Sequence, residues 1–415
     1  MYRRIITGPL RDALTDSPVV LVNGARQTGK TTLVQAVAEE RPENGARRTY
    51  LTFDDAGVLA AAKDDPAGFL AGLAGPVTLD EVQHLPELFP AIKAAVDRKR
   101  TAGRFLLTGS ANVLLLPRLS ESLAGRMEIL TLWPLAQAEI EGRPDGCLTD
   151  RLFGDEFSFG ILPEVTRPDL IRRLMAGGYP EPMTRPSEAR RRAWFGSYLT
   201  TILQRDIRDM ANIEGLTALP RLLSLLAART GTLLNLADVS RTSGLAYTTL
   251  TRYVSLLEAA FLVQMLPSWS ANLGSRMVKS PKLLISDTGL AASVLGLTAE
   301  RLAADGPLFG ALLETFVAAE LRKIVGGSTR AFQFFHYRTK AGQEVDVLLE
   351  DGAGRLVGVE VKASATVTSG DFKGLRTVAE ATGDRFVRGL VLYAGSQVIP
   401  FGERLHAVPL SLLWQ

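Results

Sequence analysis

The sequence predicts an α/β chain. A parallel sheet flanked by helices comes first, then a helical and winged-helix-like middle, then a smaller α/β domain. Three observations carry this. Apolar runs sized for buried strands alternate with helical stretches through the first part of the chain. A glycine-containing loop joins the first run to a helix. Near the end, strand-like runs follow one another in hairpin order, with charged residues set among valines. With 415 residues there is room for two or three domains. Three are expected, at 1–140, 165–300 and 305–415.

Composition sets bounds. At 46% hydrophobic and 22% charged the chain is an ordinary globular protein with a substantial core. A net charge of +3 permits a nucleic-acid partner without requiring one. The single cysteine, Cys147, excludes an internal disulfide. With only His84, His336 and His406 as histidines, a Cys/His zinc cluster is not available. No apolar run reaches membrane-spanning length, and the start Met-Tyr-Arg-Arg-Ile-Ile-Thr-Gly-Pro has no signal-peptide apolar region. A cytoplasmic protein with no membrane partner is expected.

In the first domain, strand-like runs lie at Val19–Asn23, Tyr50–Phe53, Val77–Asp80, Phe105–Thr108 and Met127–Leu132. Residues 24–31 read Gly-Ala-Arg-Gln-Thr-Gly-Lys-Thr, a full match to the phosphate loop G-x-x-x-x-G-K-[ST]. It follows a buried strand and opens a helix that Pro42 would stop, so a bound anion sits at a helix N-terminus. Gly24, Ala25, Arg26, Gln27, Thr28 and Gly29 form the backbone cradle. Lys30 is expected to reach the β- and γ-phosphates, Thr31 to ligate Mg²⁺, and Thr32 to complete the loop.

The third run ends in Asp80-Glu81. An Asp leaving a buried strand beside such a loop can hold the metal, and the adjacent Glu can activate the attacking water. The fourth run ends in Thr108-Gly109-Ser110. Thr108 and Ser110 either sense the γ-phosphate or only cap the next helix. Either Arg118 or Arg126 could stabilise transition-state charge, in its own site or across a subunit interface, and the sequence does not choose between them.

The set Gly-Ala-Arg-Gln-Thr-Gly-Lys-Thr, Leu-Asp-Glu-Val-Gln, Leu-Thr-Gly-Ser and Leu-Ala-Gly-Arg resembles a group of prokaryotic AAA+-superfamily P-loop ATPases. In that group a C-terminal domain of unknown function follows the ATPase core. Gly-Gly-Tyr-Pro-Glu at 177–181, Asp-Thr-Gly-Leu at 287–290, Tyr-Arg at 337–338 and Glu-Val-Asp at 344–346 extend the resemblance over nearly the whole chain. It implies a five-stranded core of the additional-strand type, and ATP as the nucleotide.

In the middle, Gly142–Pro163 reads as a connection. Glu188 to Met210 reads as one long helix with a basic patch at Arg190, Arg191 and Arg192, weighed as a solvated face. Leu222–Arg229, Asn235–Thr242 with Gly244 behind it, Tyr247–Ala260 and a strand at Phe261–Leu266 suggest a winged helix-turn-helix. Tyr247, Thr248, Thr249 and Arg252 would lead its second helix, either toward DNA bases or in a protein contact.

In the last domain a helix at Ala311–Lys323, with Glu314 in its first turn, precedes strands at Ala331–Arg338, Glu344–Glu350 and Arg355–Ala363. A helix near Asp371–Thr382 and a strand at Val387–Tyr393 follow. Glu360 and Lys362 alternate with Val359 and Val361, and Asp346 lies between Val345 and Val347. If those strands pair, Asp346, Glu360 and Lys362 converge. This arrangement resembles the PD-(D/E)xK nuclease core. The resemblance implies Asp346 and Glu360 as Mg²⁺ ligands, Lys362 as the catalytic lysine and Glu314 as the helix carboxylate; Val345 replaces the family's proline. Two functions stay open. One is an ATP-hydrolysing protein coupled to nucleic-acid cutting, in DNA processing or defence. The other is a regulatory NTPase switch whose last domain binds a partner and cuts nothing. ATP, DNA or a protein, and further copies of the chain are the expected partners.

Overall fold

The computed structural model describes all residues except 41–46, 111–122, 145–147, 155–156, 209–216, 273, 275, 277–278, 329 and 415. Cys147 and Arg118 therefore lie outside the described residues. The chain divides into two compact units. One is Met1, Arg3–Leu135 and Ala259–Phe261; the other is Tyr2, Ala136–Glu258 and Leu262–Gln415.

In the first unit the apolar runs become strands β1 (Val19–Asn23), β2 (Thr49–Thr52), β3 (Val77–Asp80), β4 (Phe105–Gly109) and β5 (Met127–Thr131). They form an all-parallel sheet in the order β2-β3-β4-β1-β5. The three central strands are buried along their whole length, as a sheet with helices on both faces requires. Leu79, Phe89, Ile92 and Phe105 belong to one apolar layer, and Leu10, Val20, Val34 and Leu106 to the other. Each such side chain contributes about 1.5–3 kcal/mol of burial. Because every strand runs the same way, Asn23, Asp80 and Gly109 end on one edge of the sheet. Strand order, not chain order, brings residues 24–31 to Asp80.

The second unit opens with short helices. Arg167–Ala176 is capped by Thr166, and Glu188–Thr201 by Ser187. The latter runs on into a wider turn at Ile202–Asp206 instead of continuing as one regular α-helix, and its expected end at Met210 lies outside the described residues. Helices Ala218–Ala227, Leu236–Ser243 and Tyr247–Ala259 accompany a small antiparallel sheet of β6 (Thr232–Leu233), β7 (Val263–Leu266) and β8 (Lys282–Ile285), in the order β6-β8-β7. β7 begins later than the apolar run suggests, because Phe261 takes a left-handed conformation with φ +57°. β8 has no counterpart in the sequence reading. Its apolar core is three residues between Pro281 and Ser286, too short to show a period.

The two motifs at 177–181 and 287–290 meet in the core. Asp287 is buried; its Oδ1 accepts the N–H of Leu290 (3.0 Å) and its Oδ2 the N–H of Gly178 (2.7 Å). It thereby caps helix Thr288–Val294 and fixes the Gly177–Gly178 turn at once. A Cβ on Gly177, at φ +68°, would fall 2.2 Å from Asp287 Oδ1, so only glycine fits. Burial raises the Asp287 carboxyl above the usual range, and the charge of Lys323 opposes that rise.

Helix Gly306–Val325 then leads into β9 (Phe332–Arg338), β10 (Glu344–Asp351), β11 (Leu356–Lys362), helix Lys373–Thr382, β12 (Phe386–Tyr393), β13 (Ile399–Gly402) and β14 (Leu405–Pro409). The sheet order is β13-β14-β12-β11-β10-β9. β9, β10 and β11 are antiparallel, while β11, β12 and β14 are parallel. The helix starts earlier than expected: Asp305 caps it, accepting from Leu308 N–H at 3.0 Å, and Pro307 stands in its first turn. Glu314 is therefore mid-helix, not in the first turn.

Candidate functional site

Gly24 begins the phosphate loop at φ +147°, where a Cβ would lie 2.2 Å from the carbonyl oxygen of Leu132. Gln27 also takes a left-handed conformation, φ +63°, and Gly29 stands at φ +93° directly before helix Lys30–Glu39. The loop is held from inside by Thr28 Oγ1, which donates to Ala25 O at 2.9 Å. It is held from outside by Arg4, whose guanidinium donates to Thr28 O (2.7 Å) and Trp133 O (2.6 Å). Lys30 is buried, and its ammonium donates to Gly24 O (3.1 Å) and Ala25 O (2.9 Å). Arg26 is half-buried, and Thr32 is exposed.

Asp80 is buried and carries three donors. Thr31 Oγ1 (2.9 Å) and Tyr50 OH (2.8 Å) reach its Oδ2, and Thr108 Oγ1 donates to Oδ1. Burial, then the bond to Asp80, pushes the Tyr50 phenol up to about 12, so it remains a donor at neutral pH. Glu81 has φ +59° and ψ +46°, an uncommon conformation for a residue with a side chain. Its N–H donates to Thr108 Oγ1 at 3.0 Å, and its carboxylate accepts from Gln83 Nε2. Gln83 Oε1 in turn accepts Ser110 N–H at 3.2 Å. The first turn of helix Lys30–Glu39 and the ends of β3 and β4 are thus bound into one network of Thr31, Asp80, Glu81, Gln83, Thr108 and Ser110. Thr31 Oγ1 and the Asp80 carboxylate are hard oxygens 2.9 Å apart, a donor pair that suits Mg²⁺.

Arg126 is not part of this network. It precedes β5, whose Met127 pairs with Val19 at the amino end of β1, the opposite end of the sheet from the loop. Its Nε donates to Asp97 Oδ1 at 2.6 Å. A role for Arg126 in its own chain's nucleotide site is corrected on that ground: the strand between them points the wrong way. A cavity of about 600 Å³ lined by Leu14, Arg48, Gly75, Arg104 and Phe105 also lies at the amino ends of the strands, away from the loop.

Sequence reading missed Arg4, Tyr50 and Gln83. Gln83 alone had a signal, as the last residue of Leu-Asp-Glu-Val-Gln.

In the second unit the expected convergence is present. Val347 pairs with Val359, one step from Asp346 and Glu360, and Val361 N–H donates to Asp346 Oδ2 at 2.9 Å. The register of β10 against β9 shifts between Val345 and Leu348, a bulge at Asp346. Lys362 Nζ lies 2.9 Å from Glu360 Oε1. Lys282, an unforeseen member from β8, pairs with Glu314 Oε1 and lies 3.1 Å from Asp346 Oδ1. Burial, then the charge of Asp346, raises both Glu314 and Glu360 to about 8. Among the described residues no group of three His, Cys, Asp or Glu is arranged to hold a metal ion. Lys282 and Lys362 each hold one carboxylate of the expected pair, Asp346 and Glu360.

Comparison with known proteins follows this division. Residues 16–141 match the model of an AAA domain, residues 167–301 a domain of unknown function (DUF8612), and residues 309–413 a domain of unknown function (DUF4143). Uncharacterized proteins of Mycobacterium tuberculosis and Mycobacterium bovis are each 33% identical over 410 residues, spanning 98% of this chain and 83% of theirs. Among solved structures, the Walker-type ATPase of Pyrococcus abyssi is similar with TM-score 0.44 and 14% identity, over 71% of this chain and 96% of that one. DnaA from Aquifex aeolicus gives 0.28 and 14%, over 61% and 86%. No described helix is long and apolar enough to cross a membrane. With the phosphate loop, Asp80 and Glu81 set on a parallel β2-β3-β4-β1-β5 sheet, the chain belongs to the family of these mycobacterial proteins, as an ATP-binding P-loop ATPase of the AAA+ kind.

Proposed function

We propose that the first unit hydrolyses ATP at the carboxyl edge of its sheet and acts as a switch for the second. The observation that carries this is the Thr31–Asp80–Thr108–Glu81 network. The loop N–H groups and the ammonium of Lys30 bind the phosphates and stabilise the charge that grows on them. Thr31 and Asp80 would hold Mg²⁺, which would supply further neutralisation of phosphate charge. Glu81 takes a proton from the attacking water. Gln83 orients that carboxylate and, through Ser110, couples it to the end of β4. Loss of the γ-phosphate would be felt at Thr108 and Ser110. Arg118 and Arg126 are left as candidates to act on a neighbouring copy's nucleotide. Measuring ATP turnover in Lys30→Ala and Glu81→Gln tests this reading.

For the second unit the switch reading is favoured by Lys282, which neutralises Glu314 and Asp346 without a metal. Tyr247, Thr248 and Arg252 are exposed at the start of helix Tyr247–Ala259 and offer a surface for a DNA partner. The nuclease reading is favoured by one observation, the meeting of Asp346, Glu360 and Lys362. A Mg²⁺-dependent nicking assay separates the two. Cutting that is lost in Lys362→Ala selects the nuclease; no cutting by the wild type selects the switch.

A further inference from the structure

The cavity at the amino ends of the first unit's strands has a volume of about 600 Å³ and takes no part in the nucleotide site. Helix Pro66–Gly72 lines it with Ala67, Leu70 and Ala71, and helix Leu88–Arg98 with Ala91, Ala94 and Ala95. Its charged lining is all of one sign. Arg48, Arg98, Lys99 and Arg104 face it, and no carboxylate stands among the described lining residues.

Arg48 and Arg104 are the half-buried members of this set. Arg48 donates from Nη1 to Val77 O at 3.0 Å and from Nη2 to Gly103 O at 2.8 Å. Arg104 donates from Nη2 to Leu73 O at 2.5 Å, and its Nη1 has no hydrogen-bond partner. All three acceptors are neutral carbonyls, so among the described residues neither guanidinium meets a carboxylate. Burial, then the charge of Arg104, brings the Arg48 guanidinium down to about 10. Burial lowers Arg104 as well. Two like charges share one half-buried place with nothing to offset them. Such a pair is costly by itself and favours an anion.

We infer that this cavity binds a small organic carboxylate, its head between Arg48 and Arg104 and its apolar body along the alanines of the two helices. Guanidinium groups match the planar carboxylate with parallel N–H donors. A phosphate ester would bring two charges and three oxygens to guanidiniums that already commit three N–H groups to carbonyls. The alanines leave room for a chain or ring and offer no further polar partner. The volume lies within the usual range of small-molecule sites, about 300–1,000 Å³. Arg98 and Lys99, both exposed at the cavity, draw anions toward it. Val77 and Phe105 begin β3 and β4 here, whereas Asp80 and Gly109 end them at the nucleotide site. The inference is therefore independent of ATP hydrolysis.

The test uses the full chain without nucleotide. Octanoate and naphthoate are titrated by calorimetry, with octanamide as the neutral control. One octanoate per chain is expected, held at least about tenfold more tightly than octanamide, the scale of a hydrogen bond to a charged group. The melting temperature should rise with octanoate concentration. Arg104→Gln is expected to remove the preference for octanoate over octanamide. Ala94→Trp keeps every charge and fills the cavity, and it is expected to lose octanoate binding. Circular dichroism checks that both variants are folded, and Ala94→Trp decides alone if Arg104→Gln is not. No binding of either carboxylate by the wild type, equal affinity for octanoate and octanamide, or octanoate binding unchanged in Ala94→Trp overturns the proposal.

Discussion

Thr31 Oγ1 donates to Asp80 Oδ2 at 2.9 Å, joining two residues 49 positions apart in the chain. That bond ties the first turn of the phosphate-loop helix to the end of β3. It sets side by side a hydroxyl and a carboxylate, the hard oxygens that would hold the proposed Mg²⁺.

Lys30→Ala removes the one buried ammonium in the loop. Nucleotide affinity should fall by roughly 10²-fold or more, the usual scale for losing a preorganised charge partner of phosphate. Titration with a fluorescent ATP analogue checks this. Circular dichroism should show the fold retained.

Arg4→Met keeps the length of the side chain and removes two hydrogen bonds that hold the outside of the loop. Hydrogen bonds to charged groups are worth about 1.5–3 kcal/mol each. ATP affinity is expected to drop about tenfold, with a lower melting temperature. Unchanged affinity would show that the loop does not depend on this brace.

Asp287→Ala strips acceptors from Gly178 and Leu290 inside the core. A destabilisation of at least about 2 kcal/mol is expected from the unpaired donors. Asp287→Asn should cost less, since one oxygen remains. Chemical denaturation distinguishes the two.

Glu360 offers a test by pH. Its folded-state value is raised from 4.5 to about 8, by burial first and by Asp346 second. Between those values the folded chain holds a proton that the unfolded chain has released. Stability from this group therefore falls as pH rises from about 4.5 to about 8. Glu360→Gln removes that dependence. Its melting temperature relative to wild type should climb between pH 5 and pH 8.5 and then level off. A difference that shrinks with rising pH would contradict the assignment.

What could be read from the sequence was local. Residues 24–31 and Asp80-Glu81 are runs in which backbone conformation and chemistry are written side by side, and the strands they leave are uniformly apolar. Glu360-Val361-Lys362 was legible for the same reason, charges at alternate positions in a strand. Arg4, Tyr50 and Lys282 were not, because each acts through one side chain across a long loop and sits in no pattern. Arg126 stands directly before the run Met127–Leu132, and in a parallel sheet that alone puts it at the amino end of β5, away from residues 24–31. Glu314 lies mid-helix because the capping signal of Asp305, Gly306 and Pro307 starts the helix before its apolar periodicity shows. Asp287 and Gly177 belong to the short motifs that extend the family resemblance, and their work is packing and capping.

The most direct test is ATP turnover set against ATP binding for wild type and Glu81→Gln. The wild type should bind and hydrolyse ATP. Glu81→Gln should bind it within a few-fold as well and turn over about 10²–10⁴-fold more slowly, the range for a lost general base. Equal turnover by the two proteins would contradict the assignment of Glu81, and with it the hydrolytic site built on the end of β3.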